Sequence, residues 1–161
     1  MAIAAKAAHV YCIEPDPKVF RALQKNTEAL DNVTILQAAV SNETGTIDFY
    51  LSTEGAASSI STPHEYTEKI VINALSLDEL VAKYKIGKVT FIKLEAEGWE
   101  PEVLLGATST LKVCNRISID AGPERGSSST VEEVSAILIS AGFNVQVTNN
   151  IVTATRTRGP C

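Results

Sequence analysis

Several functional classes need features that this chain lacks. Its three cysteines, Cys12, Cys114 and Cys161, are odd in number, far apart and without a C-x-x-C pair. That usage fits a reducing compartment and argues against a cysteine zinc site. His9 and His64 have no neighbouring ligands at metal spacing, so no metal is expected. Lys and Arg number 14 against 19 Asp and Glu, for a net charge of -5, and they are scattered. A nucleic-acid surface needs clustered cations, so no such partner is expected. No apolar run reaches the roughly 20 residues that span a bilayer. Met1 to Ala8 has one Lys and no small-residue cleavage pattern, a poor match to a secretory signal. These absences point to the cytoplasm and to no membrane partner. There is no internal repeat, no low-complexity tract and no G-x-G-x-x-G loop.

What is present is ordinary for one globular domain over residues 1–161: 45% hydrophobic and 20% charged. Short apolar runs alternate with amphipathic segments, which predicts an α/β fold with a mostly parallel sheet and helices on both faces. His9 to Ile13 opens as a strand that stops at Glu14-Pro15. Asp16-Pro17 then caps and starts a helix with Val19, Phe20, Leu23 and Leu30 inward. Val33 to Val40 is the next expected strand. Thr46 to Leu51 alternates, as suits a half-exposed antiparallel strand. Ser52 to Glu65 is an irregular loop able to cover something. Lys69 to Ala74 is a further strand, and Ser76 to Glu79 a capping box before a short helix ending near Gly87.

Val89 to Leu94 carries the strongest central-strand signal, since a continuous apolar run suits a strand covered on both sides. A helix is expected from Pro101 to about Leu111, then a strand over Arg116 to Asp120. Gly122 to Ser129 is a loop. Thr130 and Glu133 form a second capping box, before a helix with Val134, Ile137, Leu138 and Ala141 inward. Phe143 to Val147 and Ile151 to Thr155, joined through Asn149-Asn150, form a C-terminal antiparallel hairpin.

Ligands of open α/β sheets bind at the carboxyl ends of the strands. Three strand ends here carry acids: Glu14, Glu95 with Glu97, and Asp120. An acid at the Glu14 position suits ribose hydroxyls, because a carboxylate offers two acceptor oxygens and no competing donor.

Several separated motifs occur in a telling order: Val10 to Pro17 (VYCIEPDP), Ala38 to Ser41 (AAVS) and Leu75 to Leu80 (LSLDEL). Phe91 to Glu100 (FIKLEAEGWE) and Val103 to Ala107 (VLLGA) follow. Over residues 9 to about 120 the chain resembles the FkbM-type methyltransferase family. The resemblance implies a Rossmann-like methyltransferase fold that binds S-adenosylmethionine and methylates a small-molecule or sugar-like acceptor, by O-methyl transfer. It implies Glu14, Asp16, Ala39 and Glu95 as cofactor-binding residues and Glu95 with Glu97 as catalytic ones. The carboxylates could favour the cationic cofactor, orient a metal or take the acceptor's proton. Two departures stand out. Glu95 occupies a position where the family has Asp. The family's first strand and D-x-G-A-N-x-G-like loop would lie about 20 residues before the ribose acid, yet only Met1 to Ile13 precede Glu14. Cofactor binding is therefore expected to be weakened or lost. The strands ending at Glu14 and Glu95 would flank a gap, to be closed by direct pairing, by residues 1–8 or by a homodimer.

Plainer readings stand beside these. Glu14, Glu95 and Glu97 also suit solvated acids ahead of helix N-termini. Trp99 suits packing, Lys93 a snorkelling role, and Cys12 and Cys114 the core. A catalytically inactive remnant that oligomerises or binds a partner, and a different nucleotide-binding module, are the competing readings of the whole chain.

Overall fold

A computed structural model describes residues 4–52, 58–60, 66–123 and 128–156. Strand β1 (Val10–Ile13) leads through helix α1 (Pro17–Thr27) to β2 (Val33–Leu36), its parallel partner. Asp16 starts α1 as the sequence suggests, its Oδ1 accepting the amides of Lys18 and Val19. The stripe of Val19, Phe20, Leu23 and Leu30 is only half-buried.

A second sheet runs β3 (Ala39–Val40), β5 (Glu68–Leu75), β4 (Gly45–Leu51), with β4 antiparallel to β5 as its alternation predicted. Helix α2 (Leu77–Lys83) follows. A third sheet has the order β6 (Val89–Leu94), β7 (Cys114–Asp120), β9 (Ile151–Arg156), β8 (Phe143–Thr148). Between them lie α3 (Glu100–Leu105), α4 (Thr108–Val113) and α5 (Val131–Ser140). The core gathers here: Ile117 and Ile119 of β7 and Val152 of β9 lie against Val134 and Leu138 of α5 and Val103 and Leu104 of α3. The hairpin turns through Asn149 and Asn150, both with positive φ, as a type I′ turn requires. Arg156 closes this end by donating to the carbonyls of Leu111, Cys114 and Ala141, where α4 and α5 finish.

The structure corrects several expectations. The sheet is not mostly parallel. Among the described residues there are three hydrogen-bonded sheets, with three parallel ladders (β1–β2, β3–β5, β6–β7) and three antiparallel ones. Val33 to Val40 is not one strand, because the chain changes partner at Gln37-Ala38 from β1 to β5. The helix after Pro101 breaks at Gly106-Ala107. A Cβ on Gly106 would lie 2.3 Å from the Ser41 carbonyl oxygen, and Asp78 accepts the amides of Ser109 and Thr110 to start α4 anew.

Only half of the first capping box forms: Ser76 Oγ accepts the Glu79 amide, while the Glu79 carboxylate takes the Thr44 hydroxyl instead. The Thr130–Glu133 box does not form, since the Thr130 hydroxyl donates to Glu100 and Ser129 Oγ accepts the Val131 amide.

Strand β6 is an edge strand among the described residues, not a central one, and Phe91 is 44% exposed. Neither closure within the chain is adopted there. β1 pairs with β2 alone, and Ala4–Lys6 forms a short 3₁₀ turn whose surroundings are fixed by the Asn32 side-chain amide on the Ala4 and Ala7 carbonyls. No helix of the described residues is long and apolar enough to cross a membrane.

Candidate functional site

Glu14 follows β1, its amide bonded to the Leu36 carbonyl of β2. Its Oε1 accepts the Asp16 amide at 2.8 Å, and no described group occupies Oε2. Burial pushes its carboxyl above the usual range; the bond from Asp16 opposes that, and the Asp16 charge adds to it. A part-buried acceptor of this kind gains from donors brought by a ligand.

Asp16 is 4% exposed and fully engaged: Oδ1 caps α1, and Oδ2 accepts the Ser58 hydroxyl at 2.9 Å. Its neighbour Ser59 donates its hydroxyl to the Glu97 carbonyl at 3.2 Å. Two adjacent residues thus tie the carboxyl end of β1 to the loop after β6, so Glu14 and Glu97 belong to the same end of the molecule. The rest of the expected covering loop, 53–57 and 61–65, lies outside the described residues; so do His64 and Cys161.

The loop after β6 has an unusual build. Glu97 and Gly98 both have positive φ, 51° and 87°, a conformation that costs a non-glycine residue of order 1 kcal/mol. Glu100 over-determines it. Its side chain is fully buried, with Oε1 accepting the amides of Ala96 and Gly98 at 3.0 Å each and Oε2 the Thr130 hydroxyl at 2.8 Å. Trp99 anchors the other side through Nε1 to Ser41 Oγ, 3.1 Å away, just past β3. Ala39 is buried in β3, two residues before Ser41.

Charge then concentrates at Glu97. Burial raises its carboxyl above the ordinary range, and the nearby charges of Glu95, Glu100 and Asp120 raise it further. Glu95 is exposed and pairs with Lys93 at 3.1 Å. The parallel register of Leu94 with Ile119 sets Glu95 beside Asp120. Among the described residues no three acidic, His or Cys side chains are grouped so as to hold a metal ion.

The positions singled out in the sequence therefore divide. Glu14 with Asp16, and Glu95 with Glu97, are joined through Ser58 and Ser59 at one end, and Ala39 lies nearby as buried scaffold. Glu100, Ser58 and Ser59 escaped the sequence reading. Glu100 had one available signal, a carboxylate at the first helical position that can turn back on preceding amides.

Residues 2–145 match the family described as Methyltransferase FkbM domain. The hexuronic acid methyltransferase AglP of Haloferax volcanii is 31% identical over 121 residues, covering 73% of this chain and 49% of that protein. The 2-O-methyltransferase NoeI of Sinorhizobium fredii is 26% identical over 120 residues, 65% of this chain and 49% of that one. The chain thus spans about half the length of the curated relatives it matches. A methyltransferase FkbM from Methylobacillus flagellatus superposes over 91% of this chain and 36% of its own, with TM-score 0.57 and 16% identity, a likeness of fold.

Proposed function

The chain belongs to the methyltransferase FkbM domain family, and from that premise we propose that it carries out O-methyl transfer from S-adenosylmethionine to a small hydroxylated acceptor. The observation that carries the reading is the tie between Asp16 and the Glu97 carbonyl through Ser58-Ser59, which supports a common site for the acidic ends of β1 and β6. The residues fit the cofactor at one point above all: Glu14 has an oxygen with no partner among the described residues, suited to ribose hydroxyls. Bound S-adenosylmethionine would supply an electrophilic methyl group on a sulfonium.

The chain's own part is positioning and proton handling. Glu97, held out of line by its backbone and raised toward neutrality, would accept the proton of the acceptor hydroxyl. Glu95 and Asp120 would keep that end negative, which favours a cationic donor over its neutral product. Both relatives named above are described as methyltransferases, one of a hexuronic acid and one at a 2-O position. That supports a sugar-like acceptor here. The edges of β1 and β6 that are unpaired among the described residues are, on this reading, where a second copy pairs.

Methyl transfer from isotope-labelled S-adenosylmethionine to a panel of glycosides tests the proposal. Label should appear in an ether product and fall at least about a hundredfold in Glu97→Gln, the usual scale for a lost general base. An active chain indifferent to Glu97→Gln removes its assigned role; an inactive chain that still binds S-adenosylhomocysteine favours the non-catalytic reading.

A further inference from the structure

We propose that the cavity of about 530 Å³ beside the Glu97 loop is the acceptor subsite and takes a neutral, hydroxyl-rich ring rather than an anionic one. The inference rests on the methyl-transfer reading and adds to it the class and charge of the acceptor.

Position comes first. Trp99, two residues beyond Glu97, lines the cavity together with Tyr50, Asp48, Thr46, Val71 and Ile60. Tyr50 exchanges main-chain hydrogen bonds of 2.9 and 3.0 Å with Ser59, whose hydroxyl holds the Glu97 carbonyl. The cavity therefore lies against the loop that carries Glu97.

The lining then selects the ligand. The volume lies in the usual range for small-molecule sites, about 300–1,000 Å³. Trp99 and Tyr50 offer flat apolar surface, which suits the C–H face of a sugar ring. Polar groups come from the strand edge. Since Tyr50 directs its amide and carbonyl to Ser59, strand alternation directs those of Asp48 and Thr46 to the same edge. A row offering both donors and acceptors matches hydroxyl groups, which need both.

Charge decides between neutral and anionic rings. None of the described residues lining the cavity is cationic. Lys69 is engaged by Asp48 at 2.7 Å and lies outside the lining, 5.9 Å from the Tyr50 ring centre. The loop beyond Trp99 adds negative charge, with Glu97 near Glu95 and Asp120 and Lys93 held by Glu95. A carboxylated sugar entering this cavity would meet the Asp48 carboxylate and no cation among the described lining residues.

The test is direct, because Trp99 is the chain's single tryptophan. Methyl glucopyranoside and methyl glucuronide are titrated separately against the full chain, reading intrinsic fluorescence. Val71→Arg, at a 68% exposed position of the lining, places a long side chain in the cavity without disturbing the core. The proposal expects a saturable change with the neutral glycoside, at least about tenfold weaker binding of the glucuronide, and no response in Val71→Arg of unchanged circular dichroism. Absence of a saturable response to the neutral glycoside overturns it, as does an equal or stronger response to the glucuronide, or a response unaltered by Val71→Arg. Calorimetry with S-adenosylhomocysteine on the same sample separates the two readings. Sugar binding without nucleoside binding leaves the cavity and removes the methyl donor; the reverse leaves the donor and removes the cavity.

Discussion

Glu97 and Glu100 are three residues apart and have opposite fates. Glu97 is crowded by like charges, and its carboxyl is raised, first by burial and then by Glu95, Glu100 and Asp120. A base with a raised pKa is inactive when protonated, so methyl transfer should climb as pH rises through a midpoint above the ordinary glutamate range. Asp120→Asn removes one negative neighbour, which makes the Glu97 anion easier to form, and should move that midpoint to lower pH. A pH–rate profile whose acid limb ignores Asp120→Asn would contradict the assignment.

Glu100 is fully buried and accepts three hydrogen bonds. Glu100→Ala leaves those donors unpaired, at about 1 kcal/mol or more for each, so urea melts should show a loss of about 2–4 kcal/mol. Glu100→Gln keeps one acceptor oxygen for the Ala96 and Gly98 amides and should cost less. At this scale the sequence was partly legible. The acids could be read because strand-end position and residue type both show in a linear chain. The Ser58-Ser59 tie could not, since it joins residues up to 42 apart through side-chain bonds that no local pattern encodes.

Elements show the same division. The hairpin, the Asp16 cap and the antiparallel β4 follow from local rules of turn, cap and alternation. The break between α3 and α4 does not, because its cause is tertiary: Gly106 lies against Ser41, and Asp78 reaches from α2 to start α4. The failed capping boxes have a similar origin, as Thr130 and Glu79 find distant partners in Glu100 and Thr44. Local motifs name candidates, and competing contacts choose among them. Gly106→Ala sets a methyl 2.3 Å from a carbonyl oxygen. The backbone must move, so a loss of about 1–3 kcal/mol is expected in thermal or urea unfolding. Stability equal to the parent chain would mean that this packing is looser than the structure has it.

At the scale of the whole molecule, β1 and β6 each have one edge unpaired among the described residues. Alternation and apolar runs fix which segments become strands, but strand neighbours depend on contacts far apart in sequence, so β6 could pass for a central strand and yet lie at an edge among the described residues. Unpaired edges invite pairing. Sedimentation of the chain should therefore give twice its own mass, and Phe91→Lys, at the exposed face of β6, should return the single mass. A parent chain that sediments as a monomer at all concentrations contradicts this closure.

Methyl transfer as proposed requires one cofactor site built between the ends of β1 and β6. Calorimetry with S-adenosylhomocysteine tests it most directly, comparing the parent chain with Glu14→Gln, a variant that keeps the acceptor for the Asp16 amide. Saturable heat in the micromolar range, weakened at least about tenfold by the substitution, is the predicted result. No heat at millimolar ligand, or equal binding by Glu14→Gln, would contradict it.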